Sequence, residues 1–421
     1  MISTAIASAY FLPLIDSPSL TQFLIQNRLG VTSANTAMQI VQVIATAAIT
    51  ITSIAFSMTI VALVMASNQF GPRLIQNFMQ NKWTQCVLGV FTATFVFCLL
   101  VLSQITIGSQ IEYFPTVSVI LSMILGVVCV FVLIFFIHHV ATSIRADNVV
   151  KHIASALMHD MHLLQSSRVS QPSDNRGTAL NKLVDIDEFE HSTQVRCHCD
   201  GYIQAIDYTQ IIALADEVDG IVVMHYRAGQ YLVPNTPIGT LHSQQSFTGD
   251  IYLEGAFVIG EERTALQDPL FAINQLVEMA VRALSPSLDD PFTAANCIDR
   301  LASAMASFKR TNLPKNTILN AEGYARILSK DVDFDDLFEG AYMQIRQAAV
   351  SHPFVILHLL DTFITLVTAS QSAAHMVHAV KKQLSSIQET IDEKNVFANK
   401  VDANSYNSRI AILKELIDSH N

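Results

Sequence analysis

The sequence predicts an integral membrane α-helical domain followed by a cytoplasmic α+β part, a small β-barrel or sandwich and then a helical domain. Three observations carry this expectation. Charge is segregated along the chain. The charge-poor third holds three apolar stretches of bilayer length. Downstream, the hydrophobic period shifts towards two and then to that of a helix. Residues 1–150 hold four basic side chains (Arg28, Arg73, Lys82, Arg145) and three acidic ones (Asp16, Glu112, Asp147). The other 21 basic and 33 acidic residues lie beyond, a net charge of −12 by 21 − 33. The mean hydropathy of +0.36 is high for a water-soluble protein, and the excess sits in the first 145 residues.

A bilayer core needs about 20 apolar helical residues. The stretches 38–66, 86–107 and 117–144 meet that length. Ala5–Ile15 is too short to span and reads as a partial or re-entrant segment. Lys and Arg in the connecting loops set the orientation. Arg73 and Lys82 lie in loop 68–85, and Arg145 and Lys151 follow the last span, whereas loop 108–116 has Glu112 and no base. This places loop 68–85, with Arg73, and everything after residue 145 on the cytoplasmic side. His138 and His139 sit at the cytoplasmic edge of the last span, where a helix-end position competes with a pH-sensing one.

The first span is free of charge, and Thr46, Thr50, Ser53 and Ser57 recur on one helical face. Two readings stand for that face. Small and hydroxyl residues let helices pack closely and bond back to the i−4 carbonyl. In an oligomer, the same face can form a pore wall whose oxygens partly replace an ion's water.

The stretch 146–193 holds an amphipathic helix over 146–165, with His152, His159 and His162, followed by the polar linker Ser166–Gly177. His159 and His162 with Asp160 lack a second ligand pair, so an exposed helix face is the stronger reading and no metal is assigned. Strands are expected at Gln194–Ile206, Gly220–Tyr226, Gln230–Leu232 and Ile251–Ile259, with a helix over Tyr208–Glu217. The run Gly229–Ile238 resembles the turn of a lipoyl-like barrel-sandwich hybrid, but it has no lysine to carry a prosthetic group. Cys197 and Cys199 read as buried cytosolic thiols rather than zinc ligands. Residues 261–421 read as helical: Phe271–Leu284, then 291–308 with Asp290 as its N-cap, Asp335–Ser351, a helix from Pro353 to about Asp392, and Ala403–Ser419.

The densest polar group is Arg263, Thr264, Gln267 and Asp268, followed by Arg282, Ser285, Asp290 and Thr293 around a helix–turn–helix corner. An arginine there can clamp a carboxylate or phosphate, or serve a subunit contact. The competing reading is that these charges cap helices and pair with one another. The acidic balance argues against nucleic acid, which needs clustered Lys and Arg. No Walker or dinucleotide fingerprint, nucleophile elbow or His-Glu-x-x-His occurs, so neither an enzyme nor a cofactor is predicted.

The stretch Ser57–Arg73 resembles the signature of an uncharacterised bacterial family, the predicted membrane proteins of domain of unknown function 2254. Phe136-Ile137-His138-His139, Gly201–Gln204, Arg263-Thr264 with Gln267-Asp268, Arg282–Pro286 with Asp290–Ala294, and Phe334–Leu337 with Ile345-Arg346 resemble it as well. Family members usually carry an earlier span, so this chain looks shortened, and Asp289-Asp290 stands where Asn-Asp is usual. The resemblance implies a multi-pass bacterial inner-membrane protein and brings no catalytic residues. The expected partners are the lipid bilayer, further copies of the chain, and ions or a small anionic ligand. An oligomeric channel or transport pore with a cytoplasmic regulatory domain leads. A membrane-anchored ligand sensor or scaffold is the alternative, and an enzyme comes last.

Overall fold

A computed structural model describes residues 2–12, 33–70, 82–105, 115–143, 145–166, 186, 189–307, 317–330, 332–370, 373–394, 396–397 and 399–419. Arg73 and residues 167–177 of the expected linker Ser166–Gly177 lie outside the described residues, as does most of loop 108–116. The chain divides into two units, Met1–Asn148 and Val149–Asn421.

In the first unit, three described helices are long and apolar enough to cross a membrane. They are α2 (Ala34–Phe70), α3 (Lys82–Gln104) and α4 (Thr116–Ser143). A shorter helix, α1 (Ile2–Phe11), packs on α3, and the Gln104 amide donates to the Ala9 carbonyl at 3.0 Å. Ser33 starts α2 as an N-cap, accepting from the Thr36 N–H at 3.3 Å. Ala37, Val41, Ala45, Ala48, Thr52 and Ala55 recur every three or four residues along α2 and are buried. Such small side chains let helix backbones approach. Towards one end they pack with Phe97, Cys98, Val101 and Val119, and further along Ala55 packs with Phe91, Cys129 and Phe136. Gly126 of α4 sets the close approach to α2, since a Cβ there would lie 3.3 Å from Ile44 Cγ2.

The boundary between the units falls within α5 (Ala146–Ser166), most of which belongs to the second unit, and its Val149, Val150, Ile153 and Leu157 are buried. Two sheets follow. The strands are β1 (His191–Arg196), β2 (Gly201–Ile206), β3 (Ile221–Met224), β4 (Tyr231–Leu232), β5 (Pro237–Ser243), β6 (Ile251–Tyr252) and β7 (Phe257–Gly260). Helix α6 (Tyr208–Glu217) separates β2 from β3, with Asp207 capping it by accepting from the Thr209 N–H. Strands β8 (Thr317–Leu319) and β9 (Ala325–Leu328) complete a six-stranded sheet in the order β6-β1-β5-β3-β9-β8, and β4-β2-β7 form a three-stranded one. Val195, Ile238, Leu241, Val222 and Ile327 of the larger sheet share a core with Ile203, Leu232 and Phe257 of the smaller and with Ile211 of α6.

Several expectations need correction here. The stretch Gln194–Ile206 is two strands in different sheets, joined by the crossover 197–200, and Ile251–Ile259 is likewise divided. Strand β5, in a stretch where no strand is expected, pairs with both β1 and β3. Pro237 is the first residue of the strand, where proline is tolerated. Gly239 is required by close packing, since a Cβ would sit 2.8 Å from the Val223 carbonyl. The β8–β9 hairpin lies in the stretch expected to be helical and returns to the sheet beside β3, in parallel. Cys197 and Cys199, expected as thiols, are paired in a disulfide, their Cα atoms 5.3 Å apart across the turn of the crossover.

The remaining helices are α7 (Leu270–Ala283), α8 (Pro291–Ser307), α9 (Phe334–Ala348), α10 (Pro353–Ala369), α11 (Ala374–Lys394) and α12 (Lys400–Asp418). The single helix expected from Pro353 to about Asp392 is therefore two, with α10 ending at Ala369. Helix α7 packs on α8 and α9, and α10 on α8 and α12. Phe338, Tyr342 and Phe363 form an aromatic cluster in which Tyr342 and Phe363 meet edge to face at 5.2 Å. Helix α10 is apolar almost all round but has only 17 residues. Its buried Leu359, Leu360 and Phe363 make it a core helix rather than a span.

Candidate functional site

Thr46, Thr50, Ser53 and Ser57 are exposed on α2, away from the packed seam. At about 100° per residue the two stripes lie roughly 155° apart round the helix. The small-residue packing expected for this helix is thus present, but it is made by the alanine seam. The hydroxyl face is left uncovered within the unit. The stripe also continues upstream of Thr46 through Gln42 and Gln39, both exposed, on the same three-and-four spacing. That continuation was available in the sequence and extends the expected face by two amides.

The Thr46 hydroxyl donates to the Gln42 carbonyl and the Thr50 hydroxyl to the Thr46 carbonyl, each at 2.8 Å. Each hydroxyl has one proton, spent here on its own helix, so what remains outward is an oxygen with acceptor lone pairs. Gln42, Val43, Thr46, Ala47, Thr50 and Ile51 bound an open concavity of about 540 Å³ on this face.

At the far end of the bundle, Phe135 lies between Trp83, edge to face at 6.1 Å, and His139, stacked at 5.9 Å. His138 is exposed and His139 half-buried, and the Thr142 hydroxyl reaches both of their carbonyls at 3.0 Å. Trp at a span's end suits a membrane–water boundary.

The polar group around α7 separates into two clusters. Arg263, Thr264, Gln267 and Asp268 precede the helix, whereas Arg282 lies in its last turn and Ser285, Asp290 and Thr293 follow it. Asp268 and Arg282 are 14 residues apart, about 20 Å along a helix. In the first cluster Arg263 donates to Asp268 Oδ2 through Nε at 3.0 Å and Nη2 at 2.5 Å. Asp268 Oδ1 takes the first free N–H of α7, that of Leu270, at 3.1 Å. The Gln267 side chain accepts from the Ile206 N–H at 2.9 Å and donates to its carbonyl at 3.2 Å, as a neighbouring strand would. Thr264 Oγ1 reaches the Gln204 carbonyl at 3.5 Å. Burial pushes the Asp268 carboxyl above the usual range, with Arg263 opposing it. These side chains join the small sheet to the start of α7.

In the second cluster Arg282 pairs with Glu278 one turn away at 3.4 Å. Asp290 caps α8, accepting from the Thr293 N–H at 3.0 Å and its hydroxyl at 2.5 Å. The Ser285 and Ser287 hydroxyls are 3.1 Å apart. His352, missed in the sequence, meets this corner through the Leu284 carbonyl at 3.0 Å and Asp289 at 3.6 Å. Its only local signal is Pro353 after it, which marks a helix start. Capping and pairing therefore account for most of the polar residues expected to hold a ligand. Among the described residues no group of three His, Cys, Asp or Glu side chains could hold a metal ion. The side chains of Asp160 and His162 lie outside the described residues.

Comparison with known proteins gives the family and no activity. An "Uncharacterized protein Mb1321c" of Mycobacterium bovis is 27% identical over 337 residues, covering 76% of this chain and 61% of its own length. An "Uncharacterized protein Rv1290c" of Mycobacterium tuberculosis matches to the same extent. The chain thus spans less than two thirds of these relatives. No solved structure matches. The match to the family described as "Predicted membrane protein (DUF2254)" runs over residues 1–365, through the three apolar helices and both polar clusters, and the chain belongs to that family.

Proposed function

We propose that the protein is a homo-oligomeric ion channel or transport pore of the bacterial inner membrane, with the second unit as its cytoplasmic regulatory domain. The observation that carries this reading is the uncovered polar stripe of α2 from Gln39 through Ser57. Side-chain amides facing hydrocarbon without a partner are costly. Further copies of the chain, turning the same stripe inward, cover it. A ring of such helices offers rows of threonine and serine oxygens whose lone pairs can replace part of a cation's hydration shell. The orientation rests on Arg73, Lys82 and Arg145 at one end of the spans. The two sheets with the Gly229–Ile238 turn support a barrel-sandwich-hybrid-like regulatory module with no carrier lysine.

The test is current from the purified protein in a planar bilayer, with the S53L/S57L variant beside it. Discrete currents that the variant abolishes are expected. A silent bilayer with folded, inserted protein overturns the pore in favour of a membrane-anchored sensor or scaffold.

A further inference from the structure

The crossover between the two sheets carries chemistry that a pore does not require. Residues 197–200 lead from β1 in the larger sheet to β2 in the smaller, and the Cys197–Cys199 disulfide closes over the single residue His198. Both flanks are held: the Cys197 carbonyl accepts from the Asn235 N–H at 3.0 Å, and the Arg196 carbonyl from the Leu253 N–H at 3.1 Å. His198 is anchored outward, its ring stacked on Tyr252 at 4.3 Å and its Nδ1 2.7 Å from Glu254 Oε1. The two sulfurs differ in access. Cys197 is fully buried in the core shared by the sheets, whereas Cys199 is half-buried at its edge. The backbone N–H of Cys199 donates to Cys197 Sγ at 3.2 Å.

We propose that Cys197 and Cys199 form a reversible dithiol–disulfide couple, with Cys199 the sulfur attacked by a small external thiol. A disulfide that closes so short a loop gains little from restricting the unfolded chain, so little opposes its reduction. Exchange requires access to one sulfur and a leaving group that tolerates negative charge. Cys199 supplies the access. The N–H already bonded to Cys197 Sγ stabilises the thiolate that leaves, partly offsetting its burial.

The external thiolate forms a bond to Cys199 Sγ, and the Cys197–Cys199 bond breaks. The electron pair goes to Cys197, which takes a proton from solvent. A second external thiolate then attacks the external sulfur of the mixed disulfide, releasing Cys199, which is protonated in turn. Two external thiols are oxidised to one disulfide while the protein disulfide is reduced to two thiols. Because these cysteines join the two sheets, the exchange acts directly on the core between them. The other four cysteines are free thiols on helices, and burial pushes the Cys297 thiol up to about 12, so Cys297 serves as the internal reference.

The test is full-length protein in detergent, equilibrated without denaturant in glutathione buffers from oxidising to reducing, then acid-quenched and alkylated for peptide mass mapping. The peptide with Cys197 and Cys199 is expected to pass from no alkyl groups to two over one two-electron transition, while Cys297 labelling stays constant. Two alkyl groups in every buffer, or none until the protein is denatured, overturns the proposal. This titration needs no variant. Oxidised glutathione is expected to cap Cys199 in C197S and to leave Cys197 bare in C199S. Equal or reversed capping overturns the assignment of Cys199 as the attacked sulfur.

Discussion

Gly229 lies directly against the Asp268 carboxylate, and a Cβ at residue 229 would overlap both Oδ2 and Cγ. The Gly229 backbone has φ +86°, a region side chains disfavour, and its N–H donates to the Ile203 carbonyl at 2.7 Å. The turn before β4 and the buried start of α7 are therefore one packed unit. G229A combines backbone strain with a steric clash and is expected to cost about 2–4 kcal/mol. A thermal melt of the full chain in detergent measures it, and an unchanged midpoint counts against the contact.

Arg263 matters as the counter-charge of Asp268. R263A strands a buried carboxylate and is expected to cost about 3 kcal/mol at neutral pH. The sign with pH follows from linkage. Burial raises the folded pKa of Asp268 above its unfolded value, and removing Arg263 takes away an opposing influence. The folded variant then holds a proton more tightly than the unfolded one, so its deficit shrinks as pH falls towards that raised value. Melts of wild type and R263A from pH 7 down to pH 5 are expected to converge. A constant gap contradicts the assignment.

The two faces of α2 are expected to answer differently to the same substitution. Ala48 is 2% exposed in the seam, so A48L overpacks it and costs about 1–3 kcal/mol. T50L lies on the exposed face and is expected to leave the melting midpoint of the dispersed protomer unchanged while altering assembly. Melts paired with size analysis in detergent separate the two effects, and equal destabilisation contradicts the face assignment.

Arg326 of β9 is expected to hold the late hairpin to the early sheet. Its guanidinium donates to Asp216 Oδ1 at 2.6 Å and to the Gly220 carbonyl at 3.3 Å, and it pairs with Asp219 at 2.7 Å. R326A is expected to cost about 2 kcal/mol and to speed amide exchange in 317–328 relative to 237–243. Unchanged protection there contradicts this role.

Legibility divides along the range of the interaction. The spans were readable because bilayer length and lack of charge are local properties, and the bounds α2 34–70, α3 82–104 and α4 116–143 bracket or closely follow the expected 38–66, 86–107 and 117–144. Asp290 and the start at Pro353 were readable because a cap acts within one turn. The packing side of α2 was not. In an apolar span, hydroxyls and alanines serve equally as small residues, and only the neighbours Phe97, Phe91 and Cys129 select the alanine seam.

By itself, the sequence determined the membrane class, the change of period after residue 190 and the capped helix starts, since each depends on residues within a turn or on mere length. Only the tertiary structure decided that β9 lies parallel to β3 about a hundred residues earlier, that β5 is central despite Pro237 and Gly239, that Cys197 bonds Cys199, and that Arg263 and Arg282 serve opposite ends of α7. Strand partners, buried ion pairs and helix faces are chosen by groups distant in the chain. Local period and composition carry no record of which distant group arrives.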